Sequence, residues 1–194
     1  MRVVAWLVAV MTIAVPQAAM AHPHVFIDNR VTLLFADGAV TGFRTEWRFD
    51  EIFSEDLLAQ YDADADGAFS AAESNQVRDG TLPNLKGFHY FTYAYVDGKD
   101  LGELEPADFK ADIVDGAARF LFAYTLPNPV DPRISKFAVS IYDHEYYVEV
   151  LMAETDPLVV EGDAGGCKVT VADDPDHAYY GGFVIPQVVA VGCP

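Results

Sequence analysis

Basic residues are scarce in this sequence: 12 Lys and Arg stand against 30 Asp and Glu, giving a formal net charge of -18. A field of that sign repels nucleic acid and anionic lipid and gathers cations near the surface. Nucleic acid is disfavoured as a partner and a divalent cation favoured. The short signatures of common catalytic sites are also missing. There is no nucleophile elbow, no HExxH helix and no phosphate-binding glycine loop. In so acidic a chain the carboxylates are too numerous to single out an acid–base pair, so the expectation is binding and no enzyme activity.

Cysteine is nearly absent as well. Cys167 and Cys193 are the two present, without a CxxC pair. Two distant thiols make a poor metal site and a natural disulfide, expected to stabilise the fold by roughly 3 kcal/mol in an oxidising compartment. Long apolar runs are lacking beyond the start of the chain, where a bilayer-spanning helix would need about 20 residues. The opening MRVVAWLVAVMTIAVPQAAMA has one basic residue, a short apolar stretch and a small-residue Ala19-Met20-Ala21 ending. It reads as a signal peptide over residues 1–21, removed on export to the periplasm. A mature chain without membrane span then starts at His22, and loss of Arg2 takes the charge from -18 to -19.

What is present is apolar and aromatic: 52% of residues are hydrophobic and 13% aromatic, enough for a substantial core. Residues 22–194 suit a single domain. Three Asp-Gly pairs, Asp37-Gly38, Asp97-Gly98 and Asp115-Gly116, sit between apolar or alternating runs, the strongest short-range hairpin signal. The implied strands are VFIDNRVTLLF with AVTGFRTEWRF, then FHYFTYAYV, then FKADIV with ARFLFAYTL. ISKFAVSIY and YYVEVLM read as an antiparallel pair around Asp143 to Glu145, and CKVTVA and FVIPQVVAV as later strands. The fold class expected is mainly β, an antiparallel sandwich-like α+β domain with an inserted helix-loop-helix at about residues 50–80.

Within that insert, Ile52, Phe53, Leu57, Leu58 and Tyr61 follow helical spacing, with Asp50 or Ser54 as cap. A second helix should start at Ser70, where Glu73 completes a capping box, and end near Gly80. The string DADADGAFSAAE between them is an EF-hand-type pattern. Asp62, Asp64, Asp66, Ser70 and Glu73 occupy positions 1, 3, 5, 9 and 12, Ala68 offers its carbonyl at position 7, and Gly67 fills the turn position. Calcium demands six to eight oxygens, and this spacing gathers them around one point. The bland alternative is an Asp/Gly-rich turn that binds nothing. A lone exported loop is expected to bind calcium at about 10⁻⁵ to 10⁻³ M and to serve structure constitutively.

Processing after Ala21 would leave His22-Pro23-His24 at the start, placing an α-amine and two imidazoles together. These donors suit nickel, cobalt, zinc or copper, although Pro23 disfavours a square-planar chelate through deprotonated amides. On a strand, His24 and Asp28 would share a face but stand about 13 Å apart, too far for one ion. His89, His144 and His177 are further candidates. Their bland readings are a histidine packed among aromatics, a turn residue and part of a solvated acidic loop.

HPHVFID, EWRFDEIFSEDLL running into DADADGAFSAAE, the YFTY segment and YDHEYYVEV together resemble domain-of-unknown-function family 1007, across essentially the whole mature chain. Its members are bacterial periplasmic proteins often labelled as the periplasmic component of an ABC-type transport system. The resemblance implies association with an inner-membrane nickel, cobalt or zinc permease or exporter, with His22 and His24 as the metal contact and Asp62, Asp64, Asp66 and Glu73 as the acidic loop. The function expected is a periplasmic metal-handling accessory. The alternative is a calcium-stabilised protein-interaction module without transition-metal binding.

Overall fold

The computed structural model describes residues 23–194. The expected signal peptide and His22 lie outside the described residues.

Among the described residues, eleven strands form two sheets. β1 (Val25–Ala36) and β2 (Ala39–Phe49) are joined by Asp37-Gly38, both in the left-handed region, which places Val31 opposite Thr45 and Leu33 opposite Phe43. Strict alternation along β1 buries Val25, Ile27, Val31, Leu33 and Phe35 while Phe26 and Asp28 face solvent. β3 (Thr92–Val96) turns at Asp97-Gly98 into β4 (Lys99–Asp100). β5 (Ala107–Val114) turns at Asp115-Gly116 into β6 (Ala117–Val130). All three Asp-Gly hairpins therefore form. β7 (Phe137–Ile141), β8 (Val148–Met152), β9 (Leu158–Glu161), β10 (Lys168–Asp173) and β11 (Gln187–Gly192) complete the set.

The first sheet runs β5-β6-β2-β1-β8, with β9 also pairing β1; the second runs β10-β11-β7-β3-β4. Their inner faces share one core: Phe43 of the first sheet meets Phe137 of the second at 6.4 Å, and the Thr92 and Tyr124 hydroxyls lie 3.1 Å apart across the gap. The architecture is mostly β and sandwich-like.

Three expectations need correction. YYVEVLM does not pair with ISKFAVSIY: β7 belongs to the second sheet, whereas β8 lies parallel to β1 in the first, Val25 opposite Val148. The connecting loop is wound around the buried carboxylate of Asp143, which accepts from the backbone N–H groups of Glu145, Tyr147 and Val148. Flanking alternation suits a hairpin and a sheet-to-sheet crossing equally, and the buried Asp143 makes this a crossing. FHYFTYAYV is not strand throughout, because His89, Tyr90 and Phe91 all have positive φ and form a tight turn that delivers the chain into β3. The second helix passes Gly80 and runs to Leu85 through Pro83. Gly80 is a point of close approach: a Cβ there would lie 2.2 Å from the Tyr61 hydroxyl.

Candidate metal site

The insert consists of α1 (Glu51–Tyr61) and α2 (Ala71–Leu85). α1 is capped by Asp50, whose carboxylate accepts from the Phe53 N–H at 2.9 Å and from the Phe26 N–H of β1 at 2.8 Å. α2 begins with the expected capping box. The Ser70 hydroxyl accepts from the Glu73 N–H at 3.3 Å and the Glu73 carboxylate accepts from the Ser70 N–H at 2.9 Å.

Two serines pin these helices to the first sheet, a role not legible in the sequence. Ser54 accepts from the Ala118 N–H at 2.9 Å and Ser74 from the Ala111 N–H at 2.8 Å, both buried. Asp50 and not Ser54 is the cap of α1, and a small hydroxyl on the buried side of each helix is the available signal.

Between the helices the chain winds residues 62–73 into a compact turn. Gly67, at φ +81, and Ala65, at φ 56, take the left-handed conformations that reverse the chain. Asp62 accepts from the Asp66 N–H at 3.2 Å and from the Gly67 N–H at 2.9 Å; Asp66 accepts from the Ala68 N–H at 2.9 Å. These bonds fold the Asp62 and Asp66 carboxylates back onto the loop's own backbone. Carboxylate oxygens of Asp62, Asp64 and Asp66 all lie within 4.8 Å of one another, the one such cluster of three or more His, Cys, Asp or Glu among the described residues.

Glu73 closes the loop from the far side, its second oxygen accepting from the Ala63 N–H at 2.7 Å. A carboxylate has about four lone-pair sites, so these bonds leave acceptor capacity. The electrostatics mark the two ends of the loop differently. Asp64 is held above the usual carboxylate range, first by the neighbouring charge of Asp66, then by burial and Glu73. Glu73 is held below it, first by the backbone N–H of Ser70, then by its hydroxyl and the Ala63 N–H. A crowded, mutually repelling set of hard oxygens fits a hard divalent cation.

His24 stands exposed just ahead of β1, its ring 4.7 Å from that of Tyr147, and its N–H donates to the Tyr147 carbonyl at 2.8 Å. The remaining histidines pack on tyrosines of the second sheet's outer face. His89 stacks on Tyr93 at 5.5 Å, His144 meets Tyr142 edge-on at 4.9 Å, and His177 lies 4.5 Å from Tyr95 with Nδ1 2.7 Å from the Asp174 carboxylate. Burial raises the pKa of Tyr93, Tyr142 and Tyr179 in this cluster. Cys167 and Cys193 form a disulfide that joins the ends of β10 and β11, just beyond the Lys168–Gly192 pair. It accords with export to an oxidising compartment. No helix among the described residues is long and apolar enough to cross a membrane.

Comparison with known proteins adds relatives of unassigned role. The family model described as "Protein of unknown function (DUF1007)" matches residues 7–180. An uncharacterized 15.5 kDa protein in the trpE 3' region of Spirochaeta aurantia is 28% identical over 131 residues, which is 67% of this chain and 93% of the relative. An uncharacterized protein of Haemophilus influenzae is 28% identical over 136 residues, 69% of this chain and 64% of that protein.

Proposed function

We propose that this chain, which belongs to the DUF1007 family, is an exported metal-handling accessory that holds calcium in the loop at residues 62–73. The observation that carries the reading is the convergence of Asp62, Asp64 and Asp66 within 4.8 Å on a turn bracketed by two helices. Asp62, Asp64, Asp66, Ser70, Glu73 and the Ala68 carbonyl are the proposed EF-hand-type ligands, and calcium is the proposed structural cofactor. A transition metal, nickel, cobalt, zinc or copper, is the proposed cargo, contacted at His22 and His24 and exchanged with an inner-membrane permease. Support for that part rests on the histidine spacing and the exposure of His24.

Calorimetric titration tests the calcium proposal. The wild-type protein is expected to bind one calcium per chain at about 10⁻⁵ to 10⁻³ M, and Glu73→Gln to weaken this by at least tenfold. Absence of calcium heat in the wild type removes the proposal. The cargo reading has its own test, since a His22→Ala/His24→Ala variant that binds nickel, cobalt, zinc and copper as tightly as the wild type removes it and leaves calcium untouched.

A second reading is a calcium-stabilised interaction module without transition-metal binding. It is favoured by the packing of His24, His89, His144 and His177 against tyrosine rings. Under it, a partner captured by the wild type is captured equally by the histidine variant.

A further inference from the structure

Two large apolar side chains stand almost wholly in solvent: Phe183 is 84% exposed and Ile134 82%, the highest values for large hydrophobic residues among those described. They sit at opposite ends of the second sheet. β7 begins at Phe137, just past Ile134, and near its other end Ser140 pairs with Val188 of β11, the strand that follows the Phe183 loop. The five residues of β7 separate the two ends by about 17 Å. Phe183 is the tip of a fixed turn. Tyr179 and Val184 exchange backbone hydrogen bonds at 2.9 and 3.3 Å across its base, and Tyr179 is buried against the Tyr142 ring at 4.8 Å. Tyr180, Gly181 and Gly182 take positive φ in succession to reverse the chain. Ile185 is exposed beside the tip, and Asp173 and Asp176 at the foot of the turn are exposed and make no ion pair among the described residues.

At the Ile134 end a hollow of about 430 Å³ opens between the β3–β4 hairpin and the end of β6. Val96, Leu101, Pro127, Pro129, Val130 and Ile134 give it an apolar lining with Ile134 as its exposed lip, and the volume has room for a phenyl ring and a branched neighbour. The charged group in that lining, the Asp131 carboxylate, is matched by the Arg133 guanidinium at 2.7 and 2.8 Å. Lys99 and Lys136, close to lining residues along the chain, are exposed and make no ion pair among the described residues. The tip thus carries unpaired carboxylates and the hollow unpaired ammonium groups. Two tips, or two hollows, would bring like charges together, whereas a tip and a hollow bring opposite ones. The formal charge of -18 repels a second copy at range, but charges farther apart than about 8 Å are largely screened at physiological ionic strength, so the local match decides.

We infer that this chain associates with copies of itself head to tail, the Phe183 turn of one protomer seated in the Ile134 hollow of the next, with Asp173 and Asp176 facing Lys99 and Lys136. The two surfaces differ and lie at opposite ends of one sheet, so the contact is heterologous. Each added copy leaves one tip and one hollow unused, and growth continues past a dimer. The contact uses neither the acidic loop nor the amino-terminal histidines, so it stands or falls independently of the proposed function.

Sedimentation equilibrium of the purified protein tests this, at concentrations up to about 1 mM, where even a weak contact is populated. The wild-type mass is expected to rise with concentration past that of a dimer. Phe183→Asp and Ile134→Asp, both at solvent-exposed positions, should each stay monomeric. Mixed in equal amounts they should form dimers and nothing larger, because the intact hollow of the first variant accepts the intact tip of the second. Lys99→Glu/Lys136→Glu should weaken association at least tenfold, and adding Asp173→Lys/Asp176→Lys to the same chain should restore it. This charge exchange keeps the test open if either Asp variant fails to fold. A wild type that stays monomeric, as it would if the tip served a different partner, or that stops at a dimer, would overturn the assignment. So would undiminished association of either Asp variant, or a mixture of the two that remains monomeric.

Discussion

Glu73 illustrates how one side chain carries two duties at the residue scale. It completes the α2 capping box and ties the far side of the loop through Ala63. The Ser70 N–H first, then the Ser70 hydroxyl and the Ala63 N–H, depress its folded-state pKa from the ordinary glutamate value. A depressed folded value means that the stabilisation is present above the unfolded pKa and lost as pH falls through the lower folded one. Asp64 has the opposite sign, since Asp66 and Glu73 raise it and its protonation in acid relieves repulsion within the loop. In urea denaturation of the metal-free protein between pH 6 and pH 3, stability should therefore fall less steeply for Glu73→Gln than for the wild type. Parallel pH profiles would show that the carboxylate contributes nothing through these bonds. The capping box and the clustering of Asp62, Asp64 and Asp66 were both readable, because Ser70-x-x-Glu73 and the Asp spacing are local. The Ala63 bond was not, as it spans ten residues and depends on the loop's closure.

At the scale of elements, the disulfide has the clearest consequence. Cys167 and Cys193 are 26 residues apart and clamp the end of the β10–β11 pair, whose outer strand lies at the sheet edge and is largely exposed. Closing a loop of that length removes chain entropy from the unfolded state worth roughly 3 kcal/mol. Cys167→Ser/Cys193→Ser should lose about that much in reversible urea denaturation, and a change under about 0.5 kcal/mol would mean that the β10–β11 ladder holds itself. Elements with local signals were legible here: the three Asp-Gly hairpins, the two helices and the strand alternation of β1. The turn at His89–Phe91 was not, because three successive non-glycine residues at positive φ have no local propensity behind them and are held by what surrounds them. The ring of Phe91 stacks on Trp47 at 5.9 Å and that of His89 on Tyr93, so both sheets contribute to fixing it.

For the whole molecule, two mechanical parts follow from the contacts. The sheets share a continuous apolar core, whereas the acidic loop touches it through Phe69 and is otherwise held by hydrogen bonds of its own. Under the calcium proposal, removing the ion with a chelator should raise amide hydrogen exchange over residues 62–73, where four carboxylates then repel one another. Protection in β1, β2 and β6 should stay unchanged, since their stability comes from the core. Hydrogen-exchange mass spectrometry with and without calcium reads both regions at once. Uniform change across the chain would mean that loop and core open as a unit.

The sequence by itself determined whatever is encoded over a few residues: acidic character, the Asp-Gly turn positions, helix starts, alternating burial and the order of oxygen donors in the loop. These depend on backbone propensity and spacing, which neighbours along the chain fully specify. Only the tertiary structure decided that β8 lies parallel to β1, that Ser54 and Ser74 serve the sheet, and that the buried Trp47 indole N–H finds no acceptor among the described residues. Each joins residues far apart in the chain, and such partners are chosen by packing and by satisfying buried polar groups.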